Sequence, residues 1–322
     1  MPHRTLACIC CLVLTLCPLA AKESIVEVGR AFTCYFQNAG DAGLVSAELR
    51  GSSARDWTAE EIGAVRRALE AWDDALADDP PRRLRVGLYW IDFESFGRGM
   101  SIGGSIVQVV PPASPADGAQ KVLTRPELVW REGGEPGPGY DILLAFNGRG
   151  GLFYVGEEAG SDIGARFDFQ SVVMHEAGHA LGISSALRGA VREGETLRTV
   201  YRTANGGRGR TMLYTTFDTL MRNADGESVV ELAARRLAEG GLPSGFNAGE
   251  VLSLAGSELT IYNPPSFKDG SSGDHFDKPD ALMQPKCPRG TYLRRITEPE
   301  LGVMRLMGWR VREGASPASP AP

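Results

Sequence analysis

The residues best placed to do chemistry are two histidines and a glutamate in the segment 168–181, Asp168-Phe-Gln-Ser-Val-Val-Met-His-Glu-Ala-Gly-His-Ala-Leu181. Its largely apolar character predicts a helix that Gly182 can end. Residues four apart share a helix face, with Cβ atoms about 5–6 Å apart, so His175 and His179 can hold one zinc ion at about 2.0–2.1 Å per nitrogen. Glu176 can then reach a water activated by the metal. The alternative is a buried helix that carries two histidines by chance.

The histidine count strengthens the zinc interpretation. The chain has four histidines: His3, His175, His179 and His275. Because His3 falls in a segment expected to be removed, the mature protein would keep three, the number of protein ligands in a three-histidine catalytic zinc site. His275 is therefore the expected third ligand, and Asp274 and Asp277 are the next donors to consider. A surface histidine in a Gly/Ser loop is the alternative for His275.

The spacing of the third ligand separates the zinc-protease families. A glutamate would follow the second histidine by twenty residues in the thermolysin-like pattern and by nineteen in the related aminopeptidase pattern, but Thr199 and Arg198 stand there. Glu193 and Glu195 are near but lie in a Gly/Arg-rich loop. The short metzincin pattern matches as far as Gly182 and fails at its last position, where the sequence has a serine, a poor zinc ligand.

A different branch of the metzincins, the leishmanolysin-like peptidases, inserts a long segment before the third histidine and follows it with a methionine-containing turn. The segment Gly270–Pro285 resembles that arrangement, and Ile296–Trp309 resembles the terminal helix of secreted bacterial proteins of this type. The resemblance implies a zinc endopeptidase with one zinc ion per chain. The roles that it implies are zinc ligands His175, His179 and His275, catalytic base Glu176 and turn methionine Met283.

Composition places the chain among ordinary globular proteins. It has 322 residues, enough for one large core or two lobes, with 43% apolar and 23% charged residues. The net charge of −6 becomes −7 when Arg4 is removed with the leader, so a basic nucleic-acid footprint is absent. No later stretch reaches about 18 apolar residues, so no membrane span is expected after the leader is cleaved.

The first 21 residues are predicted to be a secretory signal peptide. Met1–Arg4 precedes the apolar run Thr5–Ala20, and Ala20-Ala21 offers small residues for cleavage. Lipoprotein processing at Cys17 is the alternative. The mature protein is therefore expected to be secreted, either extracellular or periplasmic.

Two cysteines remain after four of the six leave with the leader. An oxidising compartment favours a disulfide between Cys34 and Cys287. The rival interpretation has Cys34 acting as a thiolate plug on the zinc in a latent form. A third possibility leaves both thiols free.

The periodic segments predict an α+β fold of metzincin-like type, with a mixed sheet and helices in the N-terminal lobe and an irregular C-terminal lobe. The catalytic domain is expected over residues 22–312, with lobes to about 182 and from 183 to 312, before a disordered tail at 313–322. A capping box of Thr58 and Glu61 begins the first helix. The predicted elements are helices Trp57–Ala77, Ser228–Glu239 and Ile296–Trp309, strands Arg83–Ile91, Tyr140–Phe146, Gly151–Val155 and Glu258–Tyr262, a loop at Pro111–Gly139, and an exposed segment Arg188–Arg210.

The function expected from these features is hydrolysis of peptide bonds in a peptide or protein substrate, with Glu176 as general base. Strands near 140–155 are the expected place for an extended substrate to pair. Two alternatives stay open: a secreted zinc-containing binding or adhesion module without turnover, and a zinc hydrolase that acts on a non-peptide amide or ester.

Overall fold

The computed structural model describes residues 24–39, 53–93, 102–107, 109–110, 118–135, 137–158, 161–187, 190–193, 196–199, 211–240, 245–266, 268 and 271–314. The helices are α1 (Ala59–Ala75), α2 (Phe169–Ala180), α3 (Val229–Ala238) and α4 (Glu298–Leu306), with short 3₁₀ segments at Ser161–Ile163 and Asp218–Leu220 and a π-helical segment at Glu127–Arg131. The strands are β1 (Ser24–Val28), β2 (Phe32–Phe36), β3 (Leu84–Ile91), β4 (Gly103–Ile106), β5 (Val109–Val110), β6 (Gly118–Lys121), β7 (Leu123–Thr124), β8 (Ile142–Asn147), β9 (Phe153–Tyr154), β10 (Phe167–Asp168), β11 (Ala190–Glu193), β12 (Thr196–Thr199), β13 (Thr211–Tyr214), β14 (Met221–Arg222), β15 (Leu252–Leu254) and β16 (Thr260–Ile261).

A five-stranded mixed sheet forms the centre of the N-terminal half, in the order β1-β2-β3-β8-β4. Strands β2, β3 and β8 run parallel, whereas β1 pairs antiparallel with β2 and β4 pairs antiparallel with β8. The expected combination of a mixed sheet and several helices is therefore confirmed.

The alternation of side chains along β3 explains how the sheet is covered. Leu88 and Trp90 belong to the main hydrophobic core, whereas Tyr89 and Ile91 belong to a second, smaller cluster. Successive side chains of a strand point to opposite faces, so the two clusters lie on opposite sides of the sheet. The main core includes α1 and α2, which pack against each other.

Helix α1 begins at the capping box expected from the sequence. Thr58 accepts a hydrogen bond from the backbone N–H of Glu61, and the Glu61 side chain accepts one from the Thr58 N–H. Trp72 is fully buried and donates its indole N–H to the carbonyl oxygen of Met174 in α2 at 2.9 Å. This bond and the surrounding apolar contacts fix the metal-motif helix against α1 and the sheet.

The same hydrophobic core continues into the C-terminal half and runs from Val28 to Trp309. Helices α3 and α4 form where they were predicted, although each is shorter than the predicted range. The strand predicted at 258–262 is reduced to β16, which pairs with β15. The proposed division into two lobes at about residue 182 stays a prediction.

One local prediction is wrong, and another is correct only in part. The segment 111–139 is not simply a loop, because its described part holds β6, β7 and a π-helical turn whose Glu127 and Arg131 form an ion pair at 2.8 Å. The short edge strand predicted at 151–155 is present but reduced to β9, which pairs in parallel with β10 outside the central sheet.

Several predictions concern residues outside the described ranges. They are the signal peptide at 1–21, the end of the tail at 315–322 and the exposure of the side chains in 188–210. Among the described residues, no helix combines the length and the apolar character needed to cross a bilayer.

Candidate metal centre

The metal-motif helix α2 begins at a buried ion pair. Its N-cap residue is Asp168, whose carboxylate accepts the Ser171 backbone N–H at 3.0 Å. Arg294 binds the same carboxylate through two nitrogens, at 2.8 and 2.6 Å. An anion at a helix N-terminus accepts hydrogen bonds from free backbone N–H groups and interacts favourably with the positive end of the helix dipole. The chain near residue 294 is thereby fixed to the start of α2.

Gly182 allows the chain to turn at the other end of α2. Its φ of +118° is a conformation that L-residues rarely adopt but that glycine, without a Cβ atom, adopts freely. The turn brings the carbonyl oxygen of Ile183 back to His179, whose Nδ1 lies 2.7 Å from it. The predicted helix end is therefore correct, and it also positions a candidate ligand.

The structure brings His175, His179 and His275 together. The Nε2 atom of His179 lies 3.1 Å from that of His175 and 3.2 Å from that of His275, and the third Nε2 pair is 3.1 Å apart. His179 and His275 are buried and His175 is partly buried. Among the described residues, these three form the one group of histidine, cysteine and carboxylate side chains close enough to share a metal ion.

Each imidazole is held through its other nitrogen by a backbone carbonyl oxygen. His175 Nδ1 lies 2.8 Å from Leu282 O, and His275 Nδ1 lies 2.9 Å from Ser271 O, as in the contact of His179 already described. A carbonyl oxygen can only accept, so Nδ1 carries the proton in all three rings. All three Nε2 atoms consequently carry lone pairs that can bind one cation between them.

The geometry fits a tetrahedral zinc ion. Nitrogens at about 2.0–2.1 Å from zinc with tetrahedral angles would be about 3.3–3.4 Å apart, close to the distances found here. Burial lowers the pKa of His175 to about 3 and that of His179 to about 4. Burial also holds the pKa of His275 well below its usual value. Near neutral pH the three rings are therefore neutral donors, the form that binds a metal.

Glu176 lies on α2 beside the strand β4. The residue is 8% exposed, and its carboxylate accepts a hydrogen bond from the Ser105 backbone. The carboxylate also lies close to Gly103, where a Cβ atom would be 3.2 Å from Oε1. Burial raises the pKa of Glu176 to about 8, against the effect of the Ser105 bond. A divalent cation bound by the neighbouring histidines would lower that pKa. Such a carboxylate can exchange a proton near neutral pH.

Met283 is fully buried beneath α2, where its side chain lies against Gly178. Residues 275–283 form a compact loop that is closed by a hydrogen bond from the Phe276 N–H to Met283 O at 2.9 Å. The segment 275–283 therefore supplies both a candidate ligand and the residue that supports the ligand helix from below.

Sequence reasoning missed the group that fixes the His275 loop. Ser185, rejected as a ligand, donates its backbone N–H to Asp274 at 2.7 Å and its hydroxyl to Asp218 at 2.5 Å. Asp218 also accepts the backbone N–H groups of Ala186 and Thr215, and burial raises its pKa to about 6. Asp274, which directly precedes His275, is therefore held by Ser185 and helps to position the loop that carries His275. The sequence carries no spacing signal that joins these distant residues.

The expected disulfide is wrong, since Cys34 and Cys287 are both free thiols. Cys34 points into the core from β2, a strand enclosed between β1 and β3, and it has no exposed surface. Burial raises the pKa of the Cys34 thiol far above its ordinary value. A thiol sealed in this way is also unsuited to plug the metal site, and it is absent from the histidine group. Of the three possibilities considered, free thiols match the structure.

Comparison of the chain with protein-family models, with curated proteins and with solved structures gave no match.

Proposed function

We propose that this chain is a zinc-dependent endopeptidase that holds one zinc ion through His175, His179 and His275. The observation that carries the proposal is the convergence of three unprotonated Nε2 atoms within 3.2 Å of one another, each ring fixed by a backbone carbonyl. Three protein ligands leave one position open, as in catalytic rather than structural zinc sites. When bound, zinc supplies Lewis-acid polarisation of the scissile carbonyl and of the attacking water.

Glu176 is the general base in this proposal. It follows His175 directly in α2, and its carboxylate is not among the side chains that converge with the histidines. It takes a proton from the attacking water on a carboxylate oxygen and delivers that proton to the leaving amine nitrogen. The Ser105 N–H holds the carboxylate in place for both transfers.

Strand β4 is the proposed place for an extended substrate to pair. The sequence favoured strands near 140–155, but β8 lies inside the sheet and β9 pairs with β10. Within the described ranges, β4 ends the sheet and pairs only with β8. Its Gly103 lies against Glu176. A peptide that adds to this edge by main-chain hydrogen bonds would therefore run past the general base.

The proposed family is the metzincins, in their leishmanolysin-like branch, and the proposed location is outside the cytoplasm. The support is the combination of the His175–His179 pair on one helix, a third histidine 96 residues after His179, and a buried methionine beneath that helix. The proposed cleft lies between α2, β4 and the loop that carries His275.

The decisive experiment incubates the zinc-loaded mature protein with a denatured protein and a peptide library, beside simple ester and amide substrates. Peptide cleavage that is abolished by a chelator and by Glu176→Gln is expected. Stoichiometric zinc binding without any cleavage would instead identify a binding module. Turnover of the non-peptide substrates alone would identify a different zinc hydrolase.

A further inference from the structure

The three backbone carbonyl groups that hold the imidazoles differ in the hydrogen bond made by the N–H of the same peptide group. Each carbonyl belongs to a peptide group whose N–H donates a further hydrogen bond. Behind His179 and His275 that bond ends on another backbone carbonyl, whereas behind His175 it ends on a carboxylate. The three bonds are Ser184 N–H to Gly182 O at 2.7 Å, Ser272 N–H to Lys268 O at 2.9 Å, and Met283 N–H to Glu300 Oε1 at 2.7 Å.

The carboxylate in question, Glu300, is completely buried on α4 and surrounded by donors. It accepts the backbone N–H groups of Leu282, Met283 and Thr297 and the hydroxyl group of Thr297. Burial raises the pKa of Glu300, and these bonds oppose that effect. Three N–H groups and one hydroxyl match the acceptor-only anionic form. Its place in the first turn of α4 also favours a negative charge.

We propose that Glu300 is a positioning residue of the metal centre, which acts on His175 through the peptide group between Leu282 and Met283. The proposal rests on the function proposed above. Resonance in the peptide bond couples its two ends. When the anion accepts the Met283 N–H, negative charge increases on Leu282 O, and that oxygen accepts the His175 Nδ1–H more strongly. The Nε2 atom of His175 becomes a better metal donor.

Ligand histidines are commonly oriented and made more basic by a carboxylate in direct contact with the ring. Here a peptide group stands between the carboxylate and the ring. The arrangement joins α4, the turn at Met283 and the ligand on α2 in one chain of hydrogen bonds. The same carboxylate completes the capping box of α4 with Thr297, so an experiment must separate its effect on the metal from its effect on the fold.

The test compares Glu300→Gln with Glu298→Gln, a control in the same helix whose exposed side chain pairs with Arg305. Glutamine keeps the length and an acceptor oxygen but removes the charge. Zn²⁺ affinity is measured at pH 7 by competition with a chromophoric chelator, after circular dichroism shows that each metal-free variant is folded. We expect about tenfold or greater weakening for Glu300→Gln and none for Glu298→Gln. The visible spectrum of the Co²⁺-loaded protein should change only in Glu300→Gln.

Equal Zn²⁺ affinities and Co²⁺ spectra in the two variants would overturn the role of Glu300. Failure of the unmodified protein to bind Zn²⁺ would overturn the proposed function itself. If Glu300→Gln does not fold, the unmodified Zn²⁺-loaded protein carries the test by NMR. The His175 Nδ1–H proton should resonate at lower field than those of His179 and His275. A His175 Nδ1–H resonance at the same field as the other two, or at higher field, would overturn the proposal.

Discussion

Gly178 of α2 is in direct contact with Met283: a Cβ atom at position 178 would lie 2.6 Å from the Met283 Sδ and 3.1 Å from the Trp72 ring. The absence of a side chain at this helix position allows the methionine to pass under the middle of the motif helix. Glycine is therefore required at this position of the motif by packing and not by a role in binding or catalysis.

Gly178→Ala should destabilise the protein despite the better helix propensity of alanine. Alanine favours a helix by about 1 kcal/mol over glycine, but overpacking of a buried contact costs about 1–3 kcal/mol. Both neighbouring side chains are fully buried, so neither can move away freely. Urea unfolding of the metal-free protein should show a lower free energy of unfolding.

The matched control is Gly302→Ala in α4, where a Cβ atom would meet nothing within 4 Å. This substitution should raise the free energy of unfolding by up to about 1 kcal/mol, because only the propensity term remains. A Gly178→Ala protein as stable as the Gly302→Ala protein would show that the contact with Met283 carries no constraint.

His275→Ala should sharply reduce zinc binding. A two-imidazole site lacks the usual number of ligands, and the remaining Nε2 atoms of His175 and His179 cannot close the site. Metal content after gel filtration and affinity by chelator competition measure the effect. Full zinc stoichiometry in this variant would mean that the third ligand lies elsewhere, with Asp274 and Asp277 the first to be changed.

Glu176→Gln should retain zinc and fold while activity falls about a hundredfold or more. The amide keeps the size of the side chain but cannot accept the proton from the attacking water. Steady-state cleavage of a peptide, with metal content measured on the same sample, checks both parts. Undiminished cleavage would exclude Glu176 as the base, and loss of zinc would indicate that it is a ligand.

Asp168→Asn should destabilise the protein by about 2–3 kcal/mol, because it leaves the largely buried Arg294 without its anion. Asparagine can still cap α2, so the change reports on the ion pair rather than on the cap. The reference is Glu298→Gln, which breaks an exposed pair worth at most about 1 kcal/mol. Similar unfolding curves for the two variants would show that the Asp168–Arg294 ion pair contributes no more to stability than an exposed pair.

Neither thiol should react readily in the folded protein, and no linked 34/287 peptide should form. Cys34 is sealed in the core, and burial together with Asp168 and Glu176 raises the pKa of Cys287 to about 12. Thiolates are the reactive species, so alkylation at pH 8 should be slow until denaturant is added. Non-reducing peptide mapping of the purified protein provides the check, and a cross-linked peptide would contradict the structure.

Local features of the fold were predictable, and long-range ones were less so. The capping box at Thr58, the motif helix and its end at Gly182 all depend on residues close in sequence. The approach of His275 was predictable from the small number of histidines and from the resemblance of its segment to that of the leishmanolysin-like peptidases. The roles of Ser185 and Glu300 were not predictable, since they depend on hydrogen bonds to residues brought near by the fold, and such bonds leave no periodic pattern.

The wide separation in sequence of the three proposed ligands also bears on the stability of the chain. His179 and His275 are 96 residues apart, and their rings meet at one point. An ion held there closes a loop of that length, and in secreted proteins such long-range cross-links are usually disulfides. Because the unfolded chain does not hold the three rings together, the free energy of binding the ion adds to the free energy of unfolding. Since the two described cysteines are free, the proposed catalysis and the resistance of the fold to unfolding would depend on the same ion.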